Sequence, residues 1–299
     1  MGCCWTKLGV ICKSLVEEDY ILLDIFVRYI KKFEFIPMEL IVNKFDRKFT
    51  QKEIVARIQK LSKMKLIERH PTLEAYRLRF LGLDCLAIHR LVLKNVLSAF
   101  GDKIGEGKES ELYQAISTSN SLVAVKFHKI GKEFRNVSKV RSYGENFGGS
   151  TWMVKSIVSG RREAEALGIL NKFNIQGIPK FYGNALHSVV IEYINGVNLF
   201  EVKDLEDPAE IFYQIVDIVK NAYWKAGLVH GDLSEYNVIV DIESGKSYII
   251  DWPQYVATVD PRSLEVLRRD LQHIISFFKK KFRLTIELDE VLKYVLETW

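Results

Sequence analysis

The stretch LVHGDLSEYNVIVD, residues 228–241, restricts the fold of this chain more than any other. Its two ends carry the aliphatic, β-branched residues of strands, and its middle holds His230, Asp232 and Asn237 where a plain turn would need only Gly and one or two polar residues. Asp232 stands five residues before Asn237 and nineteen before Asp251, which closes the strand-like SYIID. Hard oxygen donors in this order suit phosphoryl transfer. One Asp orients or deprotonates an acceptor, while an Asn and a second Asp hold Mg²⁺ against phosphates. Taken singly, each Asp reads as well as a turn residue or helix cap, and Asp241 is read as a turn residue only.

The upstream sequence supplies the remaining parts in the right order. In IGEGKES, residues 104–110, Gly105 and Gly107 let a loop between strands bring its amides close to phosphates. Alone this is weak, because the Walker spacing is absent and Ser110 stands where a third Gly would complete G-x-G-x-x-G. Lys126 sits in the apolar VAVKF, where a core-facing charge needs an anion and an edge-facing one only reaches water. Glu163, on a helix whose packing face is Ala164, Leu167 and Leu170, is the candidate partner. Together, glycine loop, strand Lys, helix Glu, H-x-D-x-x-x-x-N and a strand-end Asp have the order and separations of a kinase fold.

Before this region lies a different texture. Apolar positions Leu22, Phe26, Tyr29 or Ile30, and Phe33 recur at helical spacing over 17–33. Pro37 opens a second helix at 38–45, and Thr50 with Glu53 forms a capping box for a third reaching about Met64. LIERHPTLEAYRLRF then reads as a hairpin around His70-Pro71-Thr72, which completes a winged-helix pattern. Lys48, Lys52, Arg57, Lys60 and Lys63 concentrate positive charge on the third helix and its flanks, the element that meets nucleic acid in helix-turn-helix proteins. A solvated face is the competing reading. Residues 83–100 read as a connecting helix, and 129–149 as a long mobile loop.

The expected class is α+β, with an N-terminal winged-helix domain at 1–82, a connecting helix at 83–99, and a compact two-lobed kinase-like domain. Its N-lobe is placed at 100–195 and its C-lobe at 196–299. With 299 residues, 48% apolar and 27% charged, the chain has the composition of a globular protein, and no apolar run suggests a membrane span. The net charge of +5 is too small to argue for nucleic acid by itself. Four cysteines without a CxxC pair fit a reducing compartment, with cytoplasm the default. MGCCWT fits an N-myristoylation pattern at Gly2, with Cys3 and Cys4 beside it, but so short a match arises readily by chance.

GEGKES, VHGDLSEYN and IIDWPQ resemble the RIO family of atypical kinases, in the subfamily that carries an N-terminal winged helix, and the resemblance covers essentially the whole chain. It implies ATP and Mg as cofactors and catalytic roles for Lys126, Asp232 and Asp251. Asn237 and Asp251 would hold the metal, and Glu163 would pair with Lys126. Gly105, Lys108, Glu109 and Ser110 would cover the nucleotide, and the segment from Glu192 to Ile194 would take adenine through its backbone. It further implies an ATPase-like cycle with Asp251 as an aspartyl phosphate, coupled to pre-ribosomal small subunits. Ser138 and Ser142 resemble autophosphorylation sites, although two Ser in a polar loop need no role. His-Gly-Asp in place of His-Arg-Asp, Asp-Trp-Pro in place of Asp-Phe-Gly, and 48 residues after Asp251 leave little room for peptide docking. The short C-terminus looks archaeal in form. Two other readings stay open: a small-molecule phosphotransferase of the aminoglycoside or choline kinase type, and a winged-helix nucleic-acid binder with a nucleotide-sensing kinase-like domain.

Overall fold

The computed structural model describes residues 7–131 and 149–297. The chain divides into two compact units, one of residues 1–161 with 182–190 and the other of 162–181 with 191–299. MGCCWT, Ser138, Ser142 and most of the expected mobile loop lie outside the described residues.

The first unit begins with α1 (Lys7–Lys13), α2 (Glu17–Tyr29), β1 (Ile36–Pro37), α3 (Met38–Phe45) and α4 (Gln51–Lys63). Local chemistry sets these boundaries. Thr50 Oγ1 accepts from the Glu53 amide at 3.3 Å and Glu53 Oε2 accepts from the Thr50 amide at 2.8 Å, so two orphan donors at the start of α4 are satisfied reciprocally. β2 (Ile67–Arg69) and β3 (Ala75–Leu78) form the hairpin, and β1 adds to β3 to give the three-stranded order β1-β3-β2. Ile54, Ile58 and Leu61 of α4 are fully buried with Leu22, Leu23 and Ile41, and this core makes the winged helix.

α5 (Phe80–Leu93) starts and ends earlier than the 83–100 helix read from sequence. Asn95 takes φ 54° while the Asn95 and Val96 amides return to the Val92 and Leu91 carbonyls, a left-handed turn that stops the helix. The residues beyond it are strand. β4 (Leu97–Glu106), β5 (Ser110–Ser117) and β6 (Leu122–His128) are antiparallel neighbours in the five-stranded order β4-β5-β6-β8-β7, with β7 (Phe181–Ala185) and β8 (Ser188–Glu192) beyond β6. α6 (Gly149–Lys172) is the long helix that carries Glu163, and Ala164, Leu167 and Leu170 are its buried residues on the expected face.

In the second unit, β9 (Gly196–Asn198), α7 (Pro208–Asn221), β10 (Leu228–Val229), β11 (Val238–Asp241), β12 (Ser247–Ile249) and β13 (Val256–Ala257) lead to α8 (Ser263–Phe282) and α9 (Leu288–Leu296). β11 lies between β12 and β9, β10 pairs with β13, and Phe212, Val238, Leu267 and Phe278 sit in the core beneath them. Asp241 closes the turn after β11 by accepting from the amide and hydroxyl of Ser244, both at 2.7 Å. No helix among the described residues is long and apolar enough to cross a membrane.

Candidate active site

Gly105, Leu112 and Lys126 face one another in register across β4, β5 and β6. Antiparallel partners share a face, so Lys126 emerges on the side of Gly105, two strands or roughly 10 Å away. Lys126 is 6% exposed, and such burial holds an ammonium in place only with anions nearby. The connection from Glu106 to Ser110 is tight: the Gly107 amide donates to the Ser110 carbonyl at 2.9 Å, leaving Lys108 and Glu109 exposed at its tip. This loop, its flanking strands and Lys126 form the first group of expected residues.

The second unit holds the others. Asp232 follows Gly231, whose φ of 85° and Cβ position, 2.2 Å from the Gln254 carbonyl oxygen, admit only glycine. That explains His-Gly-Asp. His230 is buried, with Nδ1 accepting from the Asp232 amide at 3.2 Å and Nε2 against the Ile250 carbonyl at 3.0 Å. Only the neutral ring with its proton on Nε2 satisfies both, and burial lowers the pKa of His230 from its ordinary 6.5.

Asn237 ends a 3₁₀ turn, Glu235–Asn237. Its Nδ2 donates to the Asp232 carbonyl at 2.7 Å, and its own carbonyl accepts from the Ile250 amide at 2.9 Å. Asp232, Asn237 and the residue before Asp251 are thereby one hydrogen-bonded frame. With Nδ2 committed, the amide oxygen of Asn237 is the atom it has left to offer a cation. Asp251 lies two residues beyond β12 and not at its end, in the left-handed region at φ 66°. A non-glycine residue held there is strained, a condition that concentrates at functional sites. Asn237 and Asp251 are hard oxygen donors fit for Mg²⁺, which keeps waters and phosphate oxygens among its ligands. Among the described residues no cluster of three His, Cys, Asp or Glu is placed to hold a metal ion.

Three residues that support this frame escaped the sequence reading. Asp270 on α8 is 1% exposed and accepts from the Gly231 amide at 2.7 Å, while its neighbour Arg269 donates to the Gly231 carbonyl. Arg162 on α6 donates from Nε to the Pro253 carbonyl at 2.7 Å and from a terminal nitrogen to the Tyr255 carbonyl at 2.6 Å, gripping the segment after Asp251. None of them belongs to a local motif. A helix charge adjacent to Glu163 and an Asp inside an amphipathic helix were the only signals available. Glu163 itself is 1% exposed on α6.

The adenine-binding expectation needs refining at Glu192. Its amide donates to the Lys180 carbonyl at 2.8 Å, and its carboxylate accepts from the Lys180 amide at 3.1 Å, so this amide is already used. Ile194 lies outside the strands and makes no backbone hydrogen bond among the described residues. In the N-terminal domain the basic cluster separates into two sets. Arg57 and Lys60 both close on the fully buried Asp19, Arg57 at 3.0 Å, and are therefore structural cations. Lys48, Lys52 and Lys63 remain exposed. Lys48 also borders a cavity of about 470 Å³ together with Tyr20, Asp24, Arg28, Lys44 and Arg90.

Comparison with known proteins finds relatives for both parts of the chain. The model for the RIO domain matches residues 111–291, and that for the Rio2 N-terminal domain matches residues 12–94. The RIO-type serine/threonine-protein kinase Rio2 of Methanocaldococcus jannaschii is 32% identical over 272 residues, covering 88% of this chain and 98% of that protein. The serine/threonine-protein kinase rio2 of Schizosaccharomyces pombe is 32% identical over 222 residues, 73% of this chain and 64% of that one. The crystal structure of the Rio2 kinase-ADP/Mg²⁺-phosphoaspartate complex from Chaetomium thermophilum superposes with a TM-score of 0.80 at 26% identity, covering 95% of this chain and 88% of that one.

Proposed function

The chain belongs to the RIO family of serine/threonine-protein kinases, and from that premise we propose that it is an ATP- and Mg²⁺-dependent atypical kinase and ATPase acting in maturation of the small ribosomal subunit. The observation that carries the catalytic part is the frame joining Asp232, Asn237 and the approach to Asp251. It ties Asp232, Asn237 and the residue before Asp251 together through the Asn237 side-chain amide and uncharged main-chain groups, which supports a base and two oxygen donors acting together.

In this reading Lys126 holds the nucleotide phosphates with Glu163 as its counter-charge. Gly105, Lys108, Glu109 and Ser110 cover them, and the backbone around Glu192 and Ile194 takes the adenine edge. Asn237 and Asp251 hold Mg²⁺, which when bound lowers the charge repulsion that opposes attack on the γ-phosphorus. A carboxylate oxygen of Asp251 attacks that phosphorus, the bond to the bridging oxygen breaks, and its electron pair leaves with ADP. Water then hydrolyses the acyl phosphate, releasing phosphate and restoring Asp251. Asp232 orients the attacking group or takes its proton. The phosphoaspartate named for the Chaetomium complex supports this cycle. Phosphorylation of Ser138 or Ser142 would be the same chemistry with a hydroxyl acceptor.

Lys48, Lys52 and Lys63 are the cations proposed to meet ribosomal RNA, and Arg57 and Lys60 are withdrawn from that role. The cysteine usage supports a cytoplasmic placement. The division into a winged-helix domain, a connecting helix and two kinase lobes belongs to the same proposal, with the first two boundaries moved to the ends of α5, which spans Phe80–Leu93, and the third kept at 195/196. The test is to mix the protein with precursor and mature small subunits, with ATP or a non-hydrolysable analogue. The reading expects retention on precursors with the analogue and release with ATP; binding indifferent to nucleotide, or equal on mature subunits, would refute it.

A further inference from the structure

Below the winged helix lies a second set of charges that the catalytic reading does not use. Asp84 of α5 is buried, with Oδ2 at 2.7 Å from Lys129 Nζ and Oδ1 at 2.8 Å from His187 Nε2. Lys129 Nζ also reaches Glu111 Oε2 at 2.6 Å, and the other Glu111 oxygen lies 3.3 Å from Lys103 Nζ. Lys103 in turn pairs with Glu106. Side-chain exposure rises along this chain of charges, from 3% at Asp84 through 9% at Lys129 and 12% at Glu111 to 33% at Lys103. Burial works against the Lys129 charge, but Asp84 and Glu111 outweigh it and hold the ammonium above its usual range.

The series runs to one destination. Lys103 precedes the loop that covers the nucleotide, Glu111 follows it, and the Lys129 amide donates to the carbonyl of Glu109 at the loop's tip, at 2.6 Å. The hairpin needs these grips. The β4–β5 pairing slips in register between Leu97 and Ala99, between Phe100 and Lys103, and between Lys103 and Gly105, so the regular pairs at the loop's base, Gly105–Leu112 and Glu106–Glu111, are reached through an irregular stretch of ladder that the Lys103–Glu111–Lys129 contacts brace. A well-packed apolar cluster would glue α5 to the sheet at less desolvation cost, and retaining buried ions makes sense where they define one arrangement.

We infer that Asp84 is a positioning residue for nucleotide binding, acting through Lys129 and Glu111 to set the loop at Glu106–Ser110. Because α5 closes the N-terminal domain, whatever shifts that domain changes the grip on ATP. The inference rests on the kinase reading above and adds a route by which the winged helix governs it.

The test measures MgATP affinity, turnover at saturating ATP and thermal stability on the full chain for the wild type, Asp84→Asn, Glu111→Gln and their combination. Both single variants are expected to weaken MgATP binding about fivefold or more. Turnover at saturation should fall less than affinity, and the double variant should bind less poorly than the product of the two effects. Glu111→Gln keeps the Asp84 pair, so it decides the matter if Asp84→Asn fails to fold. Wild-type affinity in a folded Glu111→Gln protein, whatever its melting temperature, would overturn the inference and leave the kinase reading intact. A wild type that binds no MgATP would overturn both.

Discussion

In α2, Asp19 is fully buried and its two oxygens are taken by Arg57, Lys60 and the Val16 amide. In the loop after β10, the Asp232 carboxylate is exposed and accepts no hydrogen bond among the described residues, although its amide and carbonyl are both held. The same side chain thus serves two ends. Where a carboxylate is spent on cations, its charge stabilises the fold and is closed to chemistry. Where the main chain around it is fixed and the carboxylate is left open, its charge is available to a substrate. The Asp84 network is of the first kind, and the loop carrying Asp232 and Asn237 is of the second.

The comparison breaks most visibly at Asp232. Replacing it with Asn should lower ATP turnover by roughly 10²–10⁴-fold, the range of a lost general acid or base, while the melting temperature stays within about 1 °C because no contact is lost. Steady-state kinetics with thermal denaturation on one sample checks both halves. Asp19→Asn should do the reverse. Stranding Arg57 and Lys60 should cost about 2–3 kcal/mol in denaturant unfolding, the low side for a broken buried pair because Lys60 is partly exposed. Turnover per folded molecule should be retained.

The smallest effect concerns pH. Burial, set against the hydrogen bond to Asp84, lowers the pKa of His187 below its ordinary 6.5, and His230 is lowered in the same direction. A His with a depressed folded-state pKa binds its proton more readily once unfolded. Its contribution is therefore full above about pH 6.5 and declines as pH falls toward the folded-state value. Melting temperature should drop between pH 7 and pH 5, and His187→Gln, which can still donate to Asp84, should flatten part of that slope. An unchanged slope would mean that His187 takes up its proton equally readily in the folded and the unfolded chain.

The winged helix and the kinase-like order of elements were legible because they are written locally. Thr50 with Glu53 and Pro37 mark helix starts, and short aliphatic runs between glycine and polar breaks mark β5, β6 and β8. β4 was hidden because its polar, irregularly paired residues come soon after α5, and the two-residue strand β13 carries no periodicity. At the site, Asp232, Asn237 and Asp251 announced themselves by spacing, whereas Asp270 and Arg162 act on main-chain groups remote in sequence. The same blindness blurred the basic helix: a charge run does not say which cations already have a buried carboxylate, and only packing showed that Arg57 and Lys60 do.

The most direct test of the central claim is to incubate the protein with γ-labelled ATP and Mg²⁺, beside Asp251→Asn and Asp232→Asn, and treat the labelled protein with hydroxylamine. The account predicts label that hydroxylamine removes and that Asp251→Asn never acquires. Hydroxylamine-stable label on Ser or Thr, undiminished by Asp251→Asn, would contradict an aspartyl-phosphate cycle at Asp251.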